Sequence, residues 1–491
     1  MKSEMTRREF ITAMGRGAVG LGGLAIPGCP GNSLQAIAAL GPNKKTNFLF
    51  ILIDDMGWSD LGCYGNQFHE TPNIDRLSKQ GMRFTDAYAA APVCSPTRAS
   101  ILAGQYPARI GITDFIPGHQ RPWAKLTVPQ NRLQMPAETI TIAEVLKEHG
   151  YATGHIGKWH LGGAPKFIPQ NQGFDTVVEG GRNFNDKQVT SFTDSAIDFI
   201  QANRDKPFFL YLSHHSVHIP LQAPQQLIEK YEKKPKLRRT PYGAATGVNN
   251  PIYAAMIEHL DGSIGRIIDK LAELNLAGRT MVIFFSDNGG LYKPYGGYGG
   301  DKSAVTTNWP LRDEKGTLYE GGIREPLIVR WPGAVKPGTI CSVPVCSVDF
   351  YPTLLEIAGA EANSDQVLDG KSILGLLTQT GRFERDAIYW HYPHYHHSTP
   401  AGVIRQGYWK LIEFFEDGRC ELYNLEDDIA EKNNLATEMP EKAAQLQQRL
   451  AAWRKSVGAR MPTPNPDFDP ARAHEWGGRQ SKKTGPSGAG K

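Results

Sequence analysis

The sequence predicts an α/β fold: a large domain whose sheet carries helices on both faces, then a smaller unit of short strands and one helix. Two observations carry this expectation. From about residue 45 to 360, short apolar runs alternate with helical patterns, the signature of a sheet layered between helices. Beyond residue 360, strand-length runs follow one another with only turns between them and close on a helical pattern. With 491 residues, 40% of them hydrophobic and 21% charged, there is material for one large core and a smaller one.

Taken in order, Asn47 to Ile53 is a continuous apolar run of strand length, and Asp54-Asp55 follows it directly. Acids at the end of a buried strand are helix caps or ligands, and this pair alone favours the cap. Cys94-Ser95-Pro96-Thr97-Arg98 then opens a helical run ending at Gly104. That puts a sulfur at a helix N-terminus, where free N–H groups and the dipole favour an anion, with Arg98 adding a fixed positive charge. By itself the motif also fits a buried cysteine before an ordinary helix.

Thr141-Ile142-Ala143-Glu144 is a capping box opening a helix that closes near Gly150. The strand Tyr151 to Ile156 follows and runs into Gly157-Lys158-Trp159-His160-Leu161. Pro207 to Leu212 is a further strand, ending in Ser213-His214-His215-Ser216-Val217-His218. Met256, Leu260, Ile264, Ile267, Leu271 and Leu274 recur at helical spacing and predict an amphipathic scaffold helix. Met281 to Phe285 ends in Ser286-Asp287-Asn288-Gly289-Gly290. Strands that finish in titratable groups match the place where open α/β sheets bind ligands. Residues 291–310, rich in Gly and Tyr, predict a loop over the site leading to Lys315-Gly316-Thr317, where a lysine reaches an anion as a point charge.

The smaller unit, residues 361–460, reads as strands at 386–391, 401–414 and 420–425 with a helix from about Lys442 to Val457. His391 to His397 is histidine- and tyrosine-rich. A surface loop and a second metal site are open readings, and the favoured one is a wall of the substrate cleft with His394, His396 and His397 as binding residues, since imidazoles and aromatic faces suit sugar rings and anions. Residues 461–491, rich in Pro, Gly and Lys, predict a mobile tail.

At the other end, Arg7-Arg8-Glu9-Phe10 followed by a short glycine-rich apolar run reads as a twin-arginine export signal over residues 1–38. The expectation is an exported protein, periplasmic or secreted, cleaved after Ala36-Ile37-Ala38 or lipid-anchored at Cys29. No later run is long and apolar enough for a transmembrane helix. A formal net charge of +4 gives no general affinity for nucleic acid, and six cysteines are too few for a disulfide scaffold. The pairing of Cys341 and Cys346 is not deducible, and plain core cysteines are expected.

The candidate residues share one chemistry. Asp54, Asp55, Asp287 and Asn288 offer oxygen ligands, which suit a hard divalent cation, Ca²⁺ or Mg²⁺, rather than zinc. Arg98, Lys158, His160, His218 and Lys315 are positive or become so on protonation. Together they describe a pocket for a tetrahedral anion carried on a metal, with histidines for proton transfer, and so predict phosphate or sulfate ester hydrolysis.

On these stretches, and on Tyr319-Glu320-Gly321-Gly322, Glu421 to Leu425 and Asn433-Asn434-Leu435, the chain resembles a type I sulfatase of the alkaline phosphatase superfamily from about residue 45 to 455. The resemblance implies an alkaline phosphatase-like fold, with a large mixed, mostly parallel sheet and a small C-terminal antiparallel one. It implies that a formylglycine-generating or sulfatase-maturating enzyme oxidises Cys94 to formylglycine, whose hydrate is the nucleophile. Of the hydrate's two hydroxyls, one attacks sulfur and the other, once deprotonated, expels sulfate. Asp54, Asp55, Asp287, Asn288 and residue 94 would ligate the metal, and Arg98 would stabilise the hydrate. His160 would be the base that releases sulfate, Lys158 would orient the nucleophile and the sulfate, and His218 and Lys315 would hold the sulfate and its bridging oxygen, with His218 as the leaving-group acid. The chain departs from the family where Ala103-Gly104 replaces the usual Thr-Gly and Ile429 follows Asp428.

The expected substrate is a sulfated carbohydrate or aryl sulfate. Residues 389–414 and 421–435 resemble bacterial relatives of the galactosamine sulfatases, which points to sulfated galactose or N-acetylgalactosamine. The alternatives are a phosphomonoester or phosphonate ester hydrolase of the same superfamily, and a non-catalytic glycan-binding relative.

Overall fold

The computed structural model describes residues 45–180, 185–236, 248–293 and 304–477. The export-signal segment, Cys29 and residues 294–303 of the glycine-rich loop lie outside the described residues.

A nine-stranded sheet forms the centre. Its strands, in chain order, are β1 (Asn47–Ile53), β2 (Met82–Tyr88), β3 (Ala152–Gly157), β4 (Thr176–Val178), β5 (Phe208–Ser213), β6 (Thr280–Ser286), β7 (Arg324–Arg330), β8 (Thr339–Cys341) and β9 (Val345–Cys346). Their order in space is β9-β2-β7-β6-β1-β5-β3-β4, with β8 also pairing with β2. All neighbours are parallel except β7, which runs antiparallel to both β6 and β2 and makes the sheet mixed.

Every residue of β1, β5 and β6 is buried. A sheet covered on both faces has no polar alternation to show, which is why these strands read as continuous apolar runs. Successive side chains of β1 go to opposite cores: Phe48, Phe50 and Leu52 to one, Leu49, Ile51 and Ile53 to the other.

The first core is closed by helices α1 (Cys94–Ala103), α2 (Ile142–Glu148) and α3 (Phe350–Ala358), the second by α4 (Val189–Ala202) and α5 (Pro251–Glu273). The capping box at α2 is present, with Thr141 and Glu144 each bonding the other's backbone N–H. Asn250 caps α5 by accepting from Ile252 N and Tyr253 N, both at 3.1 Å, and Pro251 takes the first turn. α1 ends on Gly104 at φ 66°, and a Cβ there would lie 2.8 Å from Tyr351 Cβ. Glycine satisfies both the left-handed turn and the close approach of α3.

The smaller unit is a four-stranded antiparallel meander: β10 (Ile388–Tyr392), β11 (Ala401–Gln406), β12 (Trp409–Phe414) and β13 (Cys420–Asn424). Helix α6 (Pro440–Ser456) covers one face by packing Leu446 and Leu450 on Ile404, Leu411 and Leu422. Trp390, Val403 and Ile412 on the other face join Tyr88, Val93 and Ile323 of the large domain.

One expectation is corrected. Residues 461–477 are not a free tail: Thr463–Pro464 pairs with Leu126–Thr127, and Asn465 Nδ2 donates to Pro122 O at 2.8 Å and Ala124 O at 2.7 Å. The Arg472 guanidinium lies 3.4 Å from the Trp123 ring centroid, and Arg121 lies 4.0 Å from that of Trp476. The Pro and Gly content suggested mobility, but one two-residue strand pairing with a few polar and cation–π anchors fixes the segment. The described cysteines are all free, and no helix among the described residues is long and apolar enough to cross a membrane.

Candidate active site

The parallel strands place their C-terminal ends on one edge, and there a cavity of about 360 Å³ opens, lined by Asp54, Cys94, Lys158, His160, His218 and Lys315 among others. β1 delivers Asp54 and Asp55, β3 delivers Lys158 and His160, β5 leads to His218, and β6 to Asp287 and Asn288. Cys94 starts α1, and Lys315 precedes the antiparallel β7, whose reversed direction brings its start to the same edge.

Three buried ion pairs organise the floor. Lys158 Nζ meets Asp54 Oδ2 at 2.6 Å, Lys315 Nζ meets Asp55 Oδ1 at 2.6 Å, and Arg98 Nη2 meets Asp287 Oδ2 at 2.6 Å. Cys94 Sγ lies 3.4 Å from Asp54 Oδ1 and 3.5 Å from Lys315 Nζ. Arg98 also donates to Lys158 O at 3.0 Å and to Ser213 Oγ, so its fork ties the ends of β3, β5 and β6 together. Asp55 N donates to Asp287 Oδ1 at 3.2 Å. Asp55 (φ 63°) and His160 (φ 60°) both sit in the left-handed region, a strain of about 1–3 kcal/mol each that tertiary contacts must hold.

The charges set one another. Burial alone would raise Asp54, but Lys158, Arg98 and Lys315 hold its carboxyl well below the usual range. Burial and the repulsion of Asp54 push Asp287 up to about 6 against the pull of Arg98. Burial pushes the Cys94 thiol up to about 12 despite Lys158 and Lys315, so at neutral pH it is a protonated thiol and a poor nucleophile.

Burial, then Lys158, holds His160 well below the ordinary histidine range, and burial brings His218 down to about 4 against Asp55. Both are neutral, and their tautomers follow from geometry. His160 Nε2–H donates to Ile116 O at 2.6 Å, which leaves Nδ1 as a buried lone pair without a partner among the described residues. His218 Nδ1–H donates to Ile219 O at 2.5 Å, which leaves Nε2 facing Asp55 Oδ2 at 3.6 Å.

A divalent metal fits this donor set. Asp55 Oδ2 and Asn288 Oδ1 are buried with no hydrogen-bond partner among the described residues, an arrangement that costs free energy unless something else satisfies them. Asn288 Nδ2 donates to Asp55 Oδ1 at 2.8 Å, so the amide's remaining oxygen stays available. Asp54, Asp55, Cys94 and His218 each offer an atom, all within 4.8 Å of one another. The oxygen-rich set matches a hard cation.

The C-terminal histidines divide. His396 lines the cavity. His394 does not: it is buried with Nε2 2.8 Å from Thr113 Oγ1 and its ring against Tyr392, which corrects its expected role in substrate binding. His397 is likewise turned to backbone, with Nδ1–H or Nε2–H meeting Lys315 O at 2.8 Å and Lys293 O at 3.1 Å. The structure adds wall residues that the sequence reading missed: Phe115, Ile116, His119, Lys187 and His215. His215 had a signal, since it lies in the histidine run before His218. Lys187 and the 115–119 loop had none, because only long-range packing brings them to the pocket.

An α/β sheet with acids, lysines and histidines at its C-terminal edge defines a hydrolase of tetrahedral ester anions with the alkaline phosphatase fold. The chain belongs within that class to the sulfatase family, as a type I sulfatase and a sulfuric ester hydrolase: residues 46–360 match the sulfatase family, and residues 310–456 match the C-terminal region of N-sulphoglucosamine sulphohydrolase. It is 32% identical to a sulfatase of Formosa agariphila over 84% of this chain and 89% of the relative. It is 33% identical to arylsulfatase A of Homo sapiens over 80% and 79%, and 31% identical to N-acetylgalactosamine-6-sulfatase of Sus scrofa over 79% and 76%. A crystal structure of Ps i-CgsB, in complex with k-i-k-neocarrahexaose, superposes with a TM-score of 0.71 at 28% identity, covering 87% of this chain and 95% of that one. The phosphonate monoester hydrolase of Agrobacterium radiobacter shares the fold, with a TM-score of 0.62 at 19% identity, covering 86% of this chain and 99% of that one.

Proposed function

We propose that this chain is an exported sulfatase that removes sulfate from a carbohydrate, with sulfated galactose or N-acetylgalactosamine as the target, after Cys94 has been converted to formylglycine. The observation that carries the reading is the place of Cys94, the first residue of α1, buried on the pocket floor 3.4 Å from Asp54 Oδ1 and 3.5 Å from Lys315 Nζ. Burial pushes its thiol up, away from a thiolate, so its usefulness lies in what it becomes. The hydrated aldehyde supplies an oxygen nucleophile where the sulfur stands. Asp54, Asp55, Asp287, Asn288 and residue 94 would hold a hard divalent cation, Ca²⁺ in the first instance, which would supply positive charge to the ester sulfate.

The chain's own residues do the rest. Lys315, 3.5 Å from Sγ, and Lys158 across Asp54 hold the sulfate oxygens. His160 Nδ1, left as a lone pair by the bond to Ile116 O, takes the proton whose loss expels sulfate. His218 Nε2 faces the pocket and would give a proton to the leaving alcohol from the doubly protonated ring, since the neutral ring carries its one N–H on Nδ1. Arg98 acts chiefly by fixing Asp287 and the ends of three strands.

The carbohydrate assignment is supported by the relatives named N-acetylgalactosamine-6-sulfatase and by the neocarrahexaose complex of a similar structure. Export through the twin-arginine signal, and a lipid anchor at Cys29, rest on the sequence reading. Protein matured in its own host is expected to show the Cys94 peptide as the aldehyde in mass spectrometry, and to cleave saccharides carrying sulfate at one defined ring position. Only unmodified cysteine would sink the mechanism, turnover of simple aryl sulfates alone would sink the carbohydrate reading, and a large preference for aryl phosphate over the matching sulfate would reject sulfatase specificity.

A further inference from the structure

Among the described residues, the pocket contains one cation more than its carboxylates account for. Arg98, Lys158 and Lys315 each lie 2.6 Å from an aspartate oxygen of their own. Lys187 lines the same cavity, and among the described residues it makes no hydrogen bond and no ion pair. A bound divalent metal would only enlarge that positive surplus.

The backbone around Lys187 is built to hold it there. Lys187 (φ 55°) and Gln188 (φ 63°) are consecutive non-glycine residues in the left-handed region, a conformation that persists only when its surroundings impose it. Asp186 imposes it: Oδ1 accepts from Gln188 N at 3.0 Å, and Oδ2 accepts from Thr190 N at 3.1 Å and Thr190 Oγ1 at 2.7 Å. His259 Nε2 braces the same Oδ2 at 3.2 Å, and buried Gln188 fits beside Gly180, where a Cβ would come within 1.9 Å of its Oε1. A surface lysine needs none of this. His215 lines the same cavity, with its ring 5.9 Å from that of Phe192.

We infer that Lys187, which shares the cavity wall with His215, is a specificity-determining residue that binds a second anionic group, a sulfate or carboxylate, on the sugar that carries the scissile ester. The inference rests on the carbohydrate reading above. The cavity of about 360 Å³ is small, so the second charge lies on the same ring or on the ring next to it. Lys158, Lys315 and the metal site take the scissile sulfate, and Lys187 is left for a group that does not react, binding substrate and transition state alike.

The test uses the full chain carrying Cys94→Ala, which binds without turning over, and calorimetry with two pairs of ligands. One pair is N-acetylgalactosamine 6-sulfate and its 4,6-disulfate; the other is phenyl sulfate with and without a ring carboxylate. The doubly charged member is expected to bind about tenfold more tightly, the effect of one charge-assisted hydrogen bond. Adding Lys187→Met should reduce that preference to under about twofold, and Lys187→Arg should keep most of it. In the converted enzyme the same Lys187→Met change should raise KM for the doubly charged substrate more than it lowers kcat. If saccharides bind and the preference survives Lys187→Met, or was never present, the inference is overturned while the carbohydrate reading stands. If no saccharide binds but the aryl pair shows a preference that depends on Lys187, the carbohydrate reading falls and the role of Lys187 stands.

Discussion

Two clusters of buried charge in this chain are built from the same parts and end differently. Between the large domain and the C-terminal meander, Asp86 takes Arg324 at 2.9 Å and Arg405 at 2.8 Å, Glu320 takes Arg324 at 3.1 Å and Lys410 at 3.0 Å, and Glu431 takes Lys410 at 2.8 Å. Each of these side chains is at most 1% exposed, so no ligand reaches them. In the pocket the pairs are as short, but Asp55 Oδ2, Asn288 Oδ1 and Lys187 keep capacity that the described residues do not fill. Where the chain completes its own pairing, buried charge fixes how two units dock; where it leaves groups unpaired, it makes a binding site.

The strongest way to break this contrast is Cys94→Ala in the pocket. Sulfatase activity should fall by on the order of 10⁴-fold or more, as for loss of a catalytic nucleophile. The small side chain removed should cost at most about 1 kcal/mol of stability. Activity assays and urea unfolding check the two halves; a large loss of stability would make Cys94 a structural residue.

The mirror experiment is Glu320→Gln at the interface. It leaves Lys410 and Arg324 short of a buried counter-charge, so unfolding in urea should show a loss of about 3–5 kcal/mol, while kcat per folded molecule stays within about twofold. A fall in kcat without loss of stability would join the two clusters into one functional network.

The smallest effect is expected where the two regions meet. Buried Asp114 accepts from Tyr392 Oη of the meander at 2.8 Å and from Phe115 N at 2.9 Å, at the start of the loop that orients His160. Burial pushes its carboxyl up to about 7, against those hydrogen bonds. A raised pKa in the folded state means that its contribution to stability is complete below the usual carboxylate range and is lost as pH rises through about 7. Asp114→Asn keeps an oxygen acceptor and cannot titrate, so the variant's melting temperature should fall less than the parent's between pH 4 and pH 7. Identical slopes would show that Asp114 titrates alike in both states.

Much of the site was legible because its residues are local to legible elements. Asp54-Asp55, Lys158, His160, His218 and Asp287-Asn288 follow strands that read as apolar runs, and parallel pairing puts all those ends on one edge. The cap at Thr141 is likewise settled by a side chain three residues away, that of Glu144; the cap at Asn250 was not read from the sequence. β7 was not legible: its seven residues are all buried, yet Arg324, Glu325 and Arg330 break the apolar run, and Arg324 is tolerated only because Asp86 and Glu320 meet it there.

The sequence by itself determined the α/β class, the strand ends that carry the chemistry and the family, because each depends on short-range pattern or on residue types in order. Tertiary structure alone decided that His396 faces the cavity while His394 turns to Thr113, that residues 461–477 are fastened to the loop at 119–127, and that Lys187 joins the pocket. Those outcomes depend on partners far away along the chain, and a contact between distant segments leaves no periodicity in either of them.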